Sequence, residues 1–226
     1  MLKLHATAWA SDSPTPAQIK EFFAQIESRK ITKNRLQGFL RGGISGSECE
    51  KLLAGWQFFY EKHFNLDRDF STLRIPEHEE GFDRLIVVAE GMTPEKIFSR
   101  IKSLMPAWKY SDNLDDITSD RKADKDYCVW VRNRVEADEE LKNKSANDLK
   151  RENIPSITLE ERFIYEIKFF DETGKHLDVD NSTLCTGSRH SGGSVPGVYW
   201  SGVQVGVFWS GPGGQSVDMR SRAVVS

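Results

Sequence analysis

Two groups of side chains in the C-terminal half contain residue types that could do chemistry. The first group is His176 with Asp178 and Asp180, and the second is His190 with Ser188 and Ser191. A histidine near carboxylates could act as a general base, and a histidine near a hydroxyl could activate a nucleophile. The sequence has no nucleophile elbow, no H-E-x-x-H motif and no histidine pair at metal-ligand spacing. A non-catalytic protein is therefore favoured, and an enzyme, either a hydrolase or an oxidase, is the alternative.

The cysteines do not form a disulfide or metal motif. Cys49, Cys128 and Cys185 are odd in number, widely separated and outside any C-x-x-C pair. This pattern argues against a disulfide framework and against a zinc site built on cysteines. Each cysteine is predicted to be a small buried apolar residue, and no metal ion or cofactor is expected.

The composition is that of a globular protein with room for one large domain or two small ones. The chain has 226 residues, of which 38% are hydrophobic and 29% are charged, and its net charge is −3. Because the chain has no excess of positive charge to attract nucleic acid, nucleic-acid binding is not expected. The first residues contain no sustained apolar run, so neither a signal peptide nor a membrane span is predicted. A cytoplasmic location is the default expectation, and export by another route stays open.

Residues 1–108 are predicted to form a helix-rich region. Three segments in it carry apolar residues at helical spacing. These segments are 13–30, 32–43 and 47–64. The wide aromatic face of the third segment is expected to be core, and the alternative is that these helices form the oligomerisation surface of an interaction adaptor. A strand at 84–89 and a helix with Thr93 as its N-cap follow, but the turn between them lacks a glycine-rich phosphate-binding motif.

A change of composition separates this region from the rest of the chain. Residues 109–126 are polar and lack apolar periodicity, which predicts a linker or a long surface loop. The spacing of the acidic residues in this segment does not match a calcium loop. The segment divides the chain into the N-terminal region and a C-terminal domain over 127–226.

The C-terminal domain has the element order of an α+β fold. A strand at 127–132 precedes a polar helix at 136–153. A second helix begins at a capping box formed by Thr158 and Glu161, and Gly174 is placed to end it. Short strands and turns follow. Strand, helix, helix and then a run of strands indicates an α+β class with antiparallel C-terminal strands.

The tail, residues 197–226, is predicted to contain a two-faced β-hairpin. Side chains alternate between the two faces of a strand. The inward set is Val198, Trp200, Val205, Val207 and Trp209, and the outward set is Gly197, Tyr199, Ser201, Gly206, Phe208 and Ser210. The outward mixture of aromatic, serine and glycine residues is typical of a contact surface. Packing of Tyr199 and Phe208 under another element is the alternative.

The closing strand places Arg220 and Arg222 on one face. Two such arginines could bind a carboxylate or a phosphate. A structural ion pair is the favoured interpretation.

The order β-α-α, followed by a glycine-rich and tryptophan-containing β region that ends in an Arg-x-Arg strand, resembles a C-type lectin-like domain. The likeness is to the branch shared by formylglycine-generating enzymes and the variable proteins of diversity-generating retroelements, and it covers roughly the last hundred residues. The segments that carry it are "VWVRNR", "ETGKHLD", "TLCTGSR", "VPGVYW", "GVFWSGPGG" and "MRSRAVVS". In the variable proteins a rigid scaffold displays residues that adenine-targeted mutagenesis diversifies.

This resemblance implies a non-catalytic binding protein with a variable recognition face. The expected ligand is another protein. The implied ligand-contact positions are His190, Ser191, Tyr199, Ser201, Gly206, Phe208, Ser210, Gly211, Gly213, Gly214, Ser216, Val217 and Asp218. Gln204 and Gln215 lie outside the residue set that adenine mutagenesis reaches easily, so they would have to be fixed by the template.

Members of the wider family also include oxidases and calcium-dependent sugar-binding lectins, and neither activity is favoured by this sequence. An oxidase of the formylglycine type would need Cys128 and Cys185 to be neighbours in a cleft. The calcium of sugar-binding lectins is not implied, because Asp218 is the only acidic residue in the tail.

Overall fold

The computed structural model describes residues 15–28, 31 and 48–226, and this part of the chain is a mixture of α-helices and β-strands. The helices are α1 (Pro16–Glu27), α2 (Glu48–Phe64), α3 (Pro94–Leu104), α4 (Ala146–Arg151) and α5 (Leu159–Thr173), with a 3-10 turn at Glu139–Leu141. The strands are β1 (Arg84–Val88), β2 (Ala107–Lys109), β3 (Ile117–Ser119), β4 (Tyr127–Val131), β5 (Ser182–Leu184), β6 (Ser188–His190), β7 (Val195–Trp200), β8 (Val205–Ser210) and β9 (Met219–Arg220). The predicted α+β class is confirmed.

The helix boundaries follow from local capping. The Thr93 hydroxyl accepts a hydrogen bond from the Lys96 backbone amide and starts α3. Thr158 and Glu161 form the predicted capping box of α5, and Gly174 ends this helix with a φ of 67°. These three boundaries are confirmed, and the predicted helix at 32–43 lies outside the described residues.

The prediction of one continuous polar helix over 136–153 was wrong. A 3-10 turn at Glu139–Leu141 and the short helix α4 replace it. Between them Asn143 takes a left-handed conformation with a φ of 58°, which a continuous helix excludes. Ser145 then caps α4 in a capping box with Asp148.

The described strands form three sheets, of which the largest carries the tail. Its strand order is β2-β8-β7-β5-β9, while β1 pairs with β4 and β3 pairs with β6 in two-stranded sheets. The β2–β8 and β5–β9 pairs are parallel, and the β7–β8 hairpin is antiparallel. The β1–β4 and β2–β8 pairs therefore join strands from both sides of the predicted linker.

Residues 109–126 do not behave as a free linker. Strand β3 pairs with β6, and the side chains of Leu114 and Ile117 are buried in the core. The Lys109 Nζ lies 2.6 Å from Glu95 Oε2, which ties the start of the segment to α3. These contacts could not be predicted from the polar segment alone, because most of their partners lie far away along the chain. The division of the chain into 1–108 and 127–226 stays a prediction.

The core combines the aromatic face of α2 with the apolar faces of α3 and α5. Trp56, Phe59 and Tyr60 of α2 are buried in one cluster with Phe163 and Ile167 of α5. The prediction that the α2 face is core is confirmed for these three side chains and for Leu53, whereas Leu52 is exposed.

Helix α1 differs from α2, because it has no buried residue. Its Ile19 and Phe23 side chains are 45% and 57% exposed. The predicted apolar stripe of this helix is therefore exposed at these two positions.

The predicted closing strand is shorter than expected, because β9 ends at Arg220 and Arg222 lies beyond it. A buried ionic network fixes this C-terminal segment to α5. Asp178 accepts hydrogen bonds from Arg162, Arg222 and Thr183, and all four side chains are buried. Arg220 instead pairs with Glu139 at 2.6 Å on the surface. The structural interpretation of the two tail arginines is thus confirmed, because both are used in ion pairs within the chain.

Candidate recognition face

The β7–β8 hairpin places two rows of side chains on opposite faces, as the alternation predicts. Val198 lies opposite Val207 in the pairing register, and both are buried. On the other face, which we call the outer face, Tyr199 lies opposite Gly206 and Phe208 lies opposite Gly197. The inner row belongs to the core, so a substitution there changes the packing of the domain, whereas Tyr199 and Phe208 of the outer row stay partly exposed.

Both outer aromatic rings lie directly over the glycine on the neighbouring strand. A Cβ atom added to Gly206 would lie 2.5 Å from Tyr199 Cε1, and one added to Gly197 would overlap the Phe208 ring. The two rings contact each other edge to face, with centroids 5.9 Å apart. They therefore pack on the backbone of their own hairpin and stay partly exposed.

Gly206 consequently differs from the other implied contact positions. Its backbone is buried beneath Tyr199, so a ligand would meet the ring rather than the glycine. We expect Gly206→Ala to displace the Tyr199 ring and to lower the free energy of unfolding by about 0.5–1 kcal/mol, since a cross-strand pair is lost. Nuclear Overhauser contacts between Tyr199 and residue 206, together with urea denaturation, would measure both effects.

Gly211→Ala is the matched control for this substitution, because nothing lies within 4 Å of its added Cβ. It should leave stability within about 0.5 kcal/mol of wild type. Unchanged Tyr199 contacts in Gly206→Ala would contradict the proposed packing.

Two further aromatic side chains extend the outer face beyond the tail. Trp108 of β2 lies opposite Gly206 in the parallel pairing with β8, and it is 38% exposed. Tyr110 follows two residues later, is 67% exposed, and contacts Trp108 edge to face at 4.0 Å between centroids. We call Trp108, Tyr110, Tyr199 and Phe208 the aromatic face. Sequence reasoning missed the first two, although their alternation with Lys109 is a weak strand signal.

The remaining implied positions lie around the hairpin, with different exposure. Ser191, Ser201, Gly211, Gly213, Val217 and Asp218 are exposed, whereas His190, Ser210, Gly214 and Ser216 are half-buried. The loop that follows β8 is tied to α4, because the Asn147 amide donates to the Pro212 carbonyl and Gln215 Nε2 donates to Asp148.

His190 is separated from the aromatic face. Its ring contacts Trp209 at 5.1 Å between centroids. Trp209 is on the inner side of β8, opposite to Phe208. His190 and the neighbouring Ser191 therefore do not join the aromatic face directly.

The side chains considered for acid–base chemistry have structural partners. His176 Nδ1 lies 2.9 Å from Glu166 Oε1, and the His176 ring stacks on Trp200 at 3.5 Å. The Asp178 carboxylate is held by the buried network described above, not by His176. Neither predicted pairing of His176 with an aspartate is present.

In the second group, His190 with Ser188 and Ser191, the structure separates Ser188 from His190. The Ser188 hydroxyl is buried, lies 2.7 Å from the Ser119 hydroxyl and accepts a hydrogen bond from the Leu159 amide. It therefore contacts neither His190 nor solvent.

The prediction that each cysteine is buried is confirmed for Cys128 and Cys185 and was wrong for Cys49, which is exposed on α2. Burial perturbs the two buried thiols. It raises the pKa of the Cys128 thiol to about 12 and raises the pKa of Cys185 as well. Both thiols stay protonated near neutral pH, so neither is a ready nucleophile. No group of three or more potential metal ligands occurs among the residues that the structure describes.

A groove of about 1330 Å³ lies elsewhere on the molecule, between residues 68–79, residues 120–128 and the last two residues. Basic and acidic side chains alternate along it, which gives it no strong charge bias. None of the implied contact positions lines this groove.

The described residues thus define a mixed α+β protein whose largest sheet exposes an aromatic face. Comparisons with protein-family models, with curated proteins and with solved structures found no match for this chain. In the described part of the chain, no helix combines the length and the apolar character needed to cross a membrane.

Proposed function

We propose that this chain is a non-catalytic binding protein of C-type lectin-like architecture, whose C-terminal strands and loops form a variable recognition face for a protein ligand. The observation that carries the proposal is the pair of partly exposed rings, Tyr199 and Phe208, that rest on glycines of the same hairpin. Tyrosine and phenylalanine supply contact area at low conformational cost, while serine and glycine adapt to the ligand.

The division between the two hairpin faces supports diversification of the outer one. Val198, Val205 and Val207 are buried, and Trp200 and Trp209 pack against the same core. Changes among the outer residues therefore leave this packing intact, as a protein diversified by a retroelement requires. Gly197 and Gly206 are the exceptions, because a side chain at either position would displace the Phe208 or Tyr199 ring.

The test is to sequence the DNA around the gene. A diversity-generating retroelement requires a near-copy of the codons for Gly197–Ser226 next to a reverse transcriptase gene. The mismatches between the copy and the gene should be confined to adenines of the copy and should fall on outer positions. No such copy, or mismatches spread over all four bases, would overturn the diversification.

The exposed apolar side chains of α1 favour a second candidate, an oligomeric interaction adaptor. Ile19 and Phe23 lie one turn apart on this helix and are both exposed. If they mediate self-association, Phe23→Asp should convert an oligomer into a monomer in light-scattering measurements at matched concentration. A wild-type chain that is already monomeric would refute this candidate.

A further inference from the structure

We infer that the recognition face has a fixed part outside the tail, in which Trp108 and Tyr110 bind an uncharged patch on a protein partner. This inference rests on the proposed binding function and identifies the residues that would contact every ligand. Both side chains precede the segment of the chain to which the lectin-like resemblance applies.

The first argument is continuity with the variable part. Trp108 and Tyr199 lie opposite Gly206 from its two sides, in strands β2 and β7. Because Gly206 has no side chain and lies under the Tyr199 ring, that ring fills the gap between the two strands. The indole of Trp108 is thus the next large side chain in the same row, and a ligand that covers Tyr199 also meets Trp108.

The second argument is the rigidity of the backbone beneath these rings. The Tyr110 amide donates to the Val207 carbonyl at 3.2 Å, and Trp209 Nε1 donates to the Tyr110 carbonyl at 3.4 Å. On the inner side, Lys109 Nζ lies 2.6–2.7 Å from the carboxylate oxygens of Glu95. Three attachments therefore hold this strand in place, so binding needs little further ordering of the chain.

The third argument concerns the chemistry of the partner. Trp108, Tyr110, Tyr199 and Phe208 carry no charge, and the nearby Lys109 points inward to Glu95. Exposed tryptophan and tyrosine are the residues that most often dominate protein interfaces. An apolar or neutral polar protein patch is the ligand that complements this surface.

The experiment uses the full chain and a model protein ligand. A library that varies the outer tail residues Ser201, Ser210, Gly211 and Val217 would be selected for binding to lysozyme, and several unrelated binders would be isolated. Trp108→Ala and Tyr110→Ala would then be introduced into each binder. The matched control is Phe58→Ala, which removes an aromatic side chain that is 46% exposed on α2.

We expect Trp108→Ala and Tyr110→Ala each to weaken lysozyme binding by at least about tenfold in every binder. Phe58→Ala should change the affinity by less than about twofold. Urea denaturation would verify that each variant is folded. If Trp108→Ala fails to fold, Tyr110→Ala still tests the inference, because Tyr110 is the more exposed of the two side chains.

Three other outcomes would overturn the inference. Binders that keep their affinity without either ring would refute the fixed part and leave the proposed function standing. A library that gives no binder would count against the proposed function and this inference together. Binding of cellohexaose that requires Trp108, with lysozyme binding unaffected, would assign the rings to a sugar ligand instead.

Discussion

Replacement of Asp178 by asparagine should lower the free energy of unfolding by about 3–5 kcal/mol, because it leaves buried Arg222 without a counter-charge and leaves buried Arg162 with Glu166 alone. Asp178 accepts from Arg162 Nε at 2.8 Å and from Arg222, and none of these side chains is more than 1% exposed. Asparagine keeps the size of the side chain and tolerates the left-handed backbone, whose φ is 55°. The loss is therefore due to charge rather than shape. Urea denaturation at neutral pH would measure it.

Asp83→Asn is the matched control, since Asp83 pairs with His78 at 3.0 Å on an exposed surface. An exposed ion pair contributes little, so this change should cost less than about 1 kcal/mol. Equal losses in the two variants would show that the buried network has no special role in stability.

The same carboxylate should make stability depend on pH. Burial by itself raises the pKa of Asp178, but Arg222 and Arg162 outweigh burial, and the pKa lies below its ordinary value. A carboxyl with a lowered pKa in the folded state adds stability that is fully present above the unfolded pKa of about 3.9 and is lost as the pH falls through the folded value. The gap in stability between wild type and Asp178→Asn should therefore shrink in acid, and a gap of constant size would contradict this assignment.

Replacement of Gly187 by alanine should lower the free energy of unfolding by about 2–3 kcal/mol, through overpacking against rigid backbone. The added Cβ would lie 2.5 Å from the Ser156 carbonyl oxygen and 3.1 Å from that of Ile157. Neither oxygen can move away easily, because the Ile157 carbonyl accepts from the Gly187 amide at 3.0 Å and the Ser156 carbonyl accepts from Arg121 Nη2 at 2.7 Å. The close approach of Gly187 to the Ser156 and Ile157 carbonyls holds the start of β6 against the residues that precede α5. Urea denaturation would measure the loss.

Gly55→Ala provides the opposite expectation for the same chemical change. Gly55 lies within α2, and nothing is within 4 Å of its added Cβ. Alanine at this position should stabilise the protein by about 0.5–1 kcal/mol, because it reduces the freedom of the unfolded chain. A loss in both variants, or in neither, would show that backbone overlap at Gly187 is not the cause.

These two sites show how a variable face could be kept apart from the stability of the domain. The Asp178 network and the Gly187 contact both lie behind the hairpin, where they join α5 to β5, β6 and the closing strand. The outer side chains of β7 and β8 take part in neither. Substitutions on the outer face should consequently affect binding more than folding, with Gly197 and Gly206 as the exceptions.

Local signals in the sequence determined where the helices begin and which face of the hairpin is buried. The caps at Thr93 and Thr158, the stop at Gly174 and the alternation around Val198 each involve residues only a few positions apart. Such contacts form within one element, so the pattern of neighbours is enough to predict them.

Only the tertiary structure decided which distant segments share a surface. Strand β2 pairs with β8, which lies far along the chain, and this pairing adds Trp108 and Tyr110 to the sheet that carries Tyr199. The same holds for Leu114, which is buried although its surroundings in the sequence are polar. A parallel pair between remote strands leaves no mark on the residues next to either strand, because its register depends on the packing of the whole core. The sequence therefore determined half of the aromatic face, and the fold added the rest.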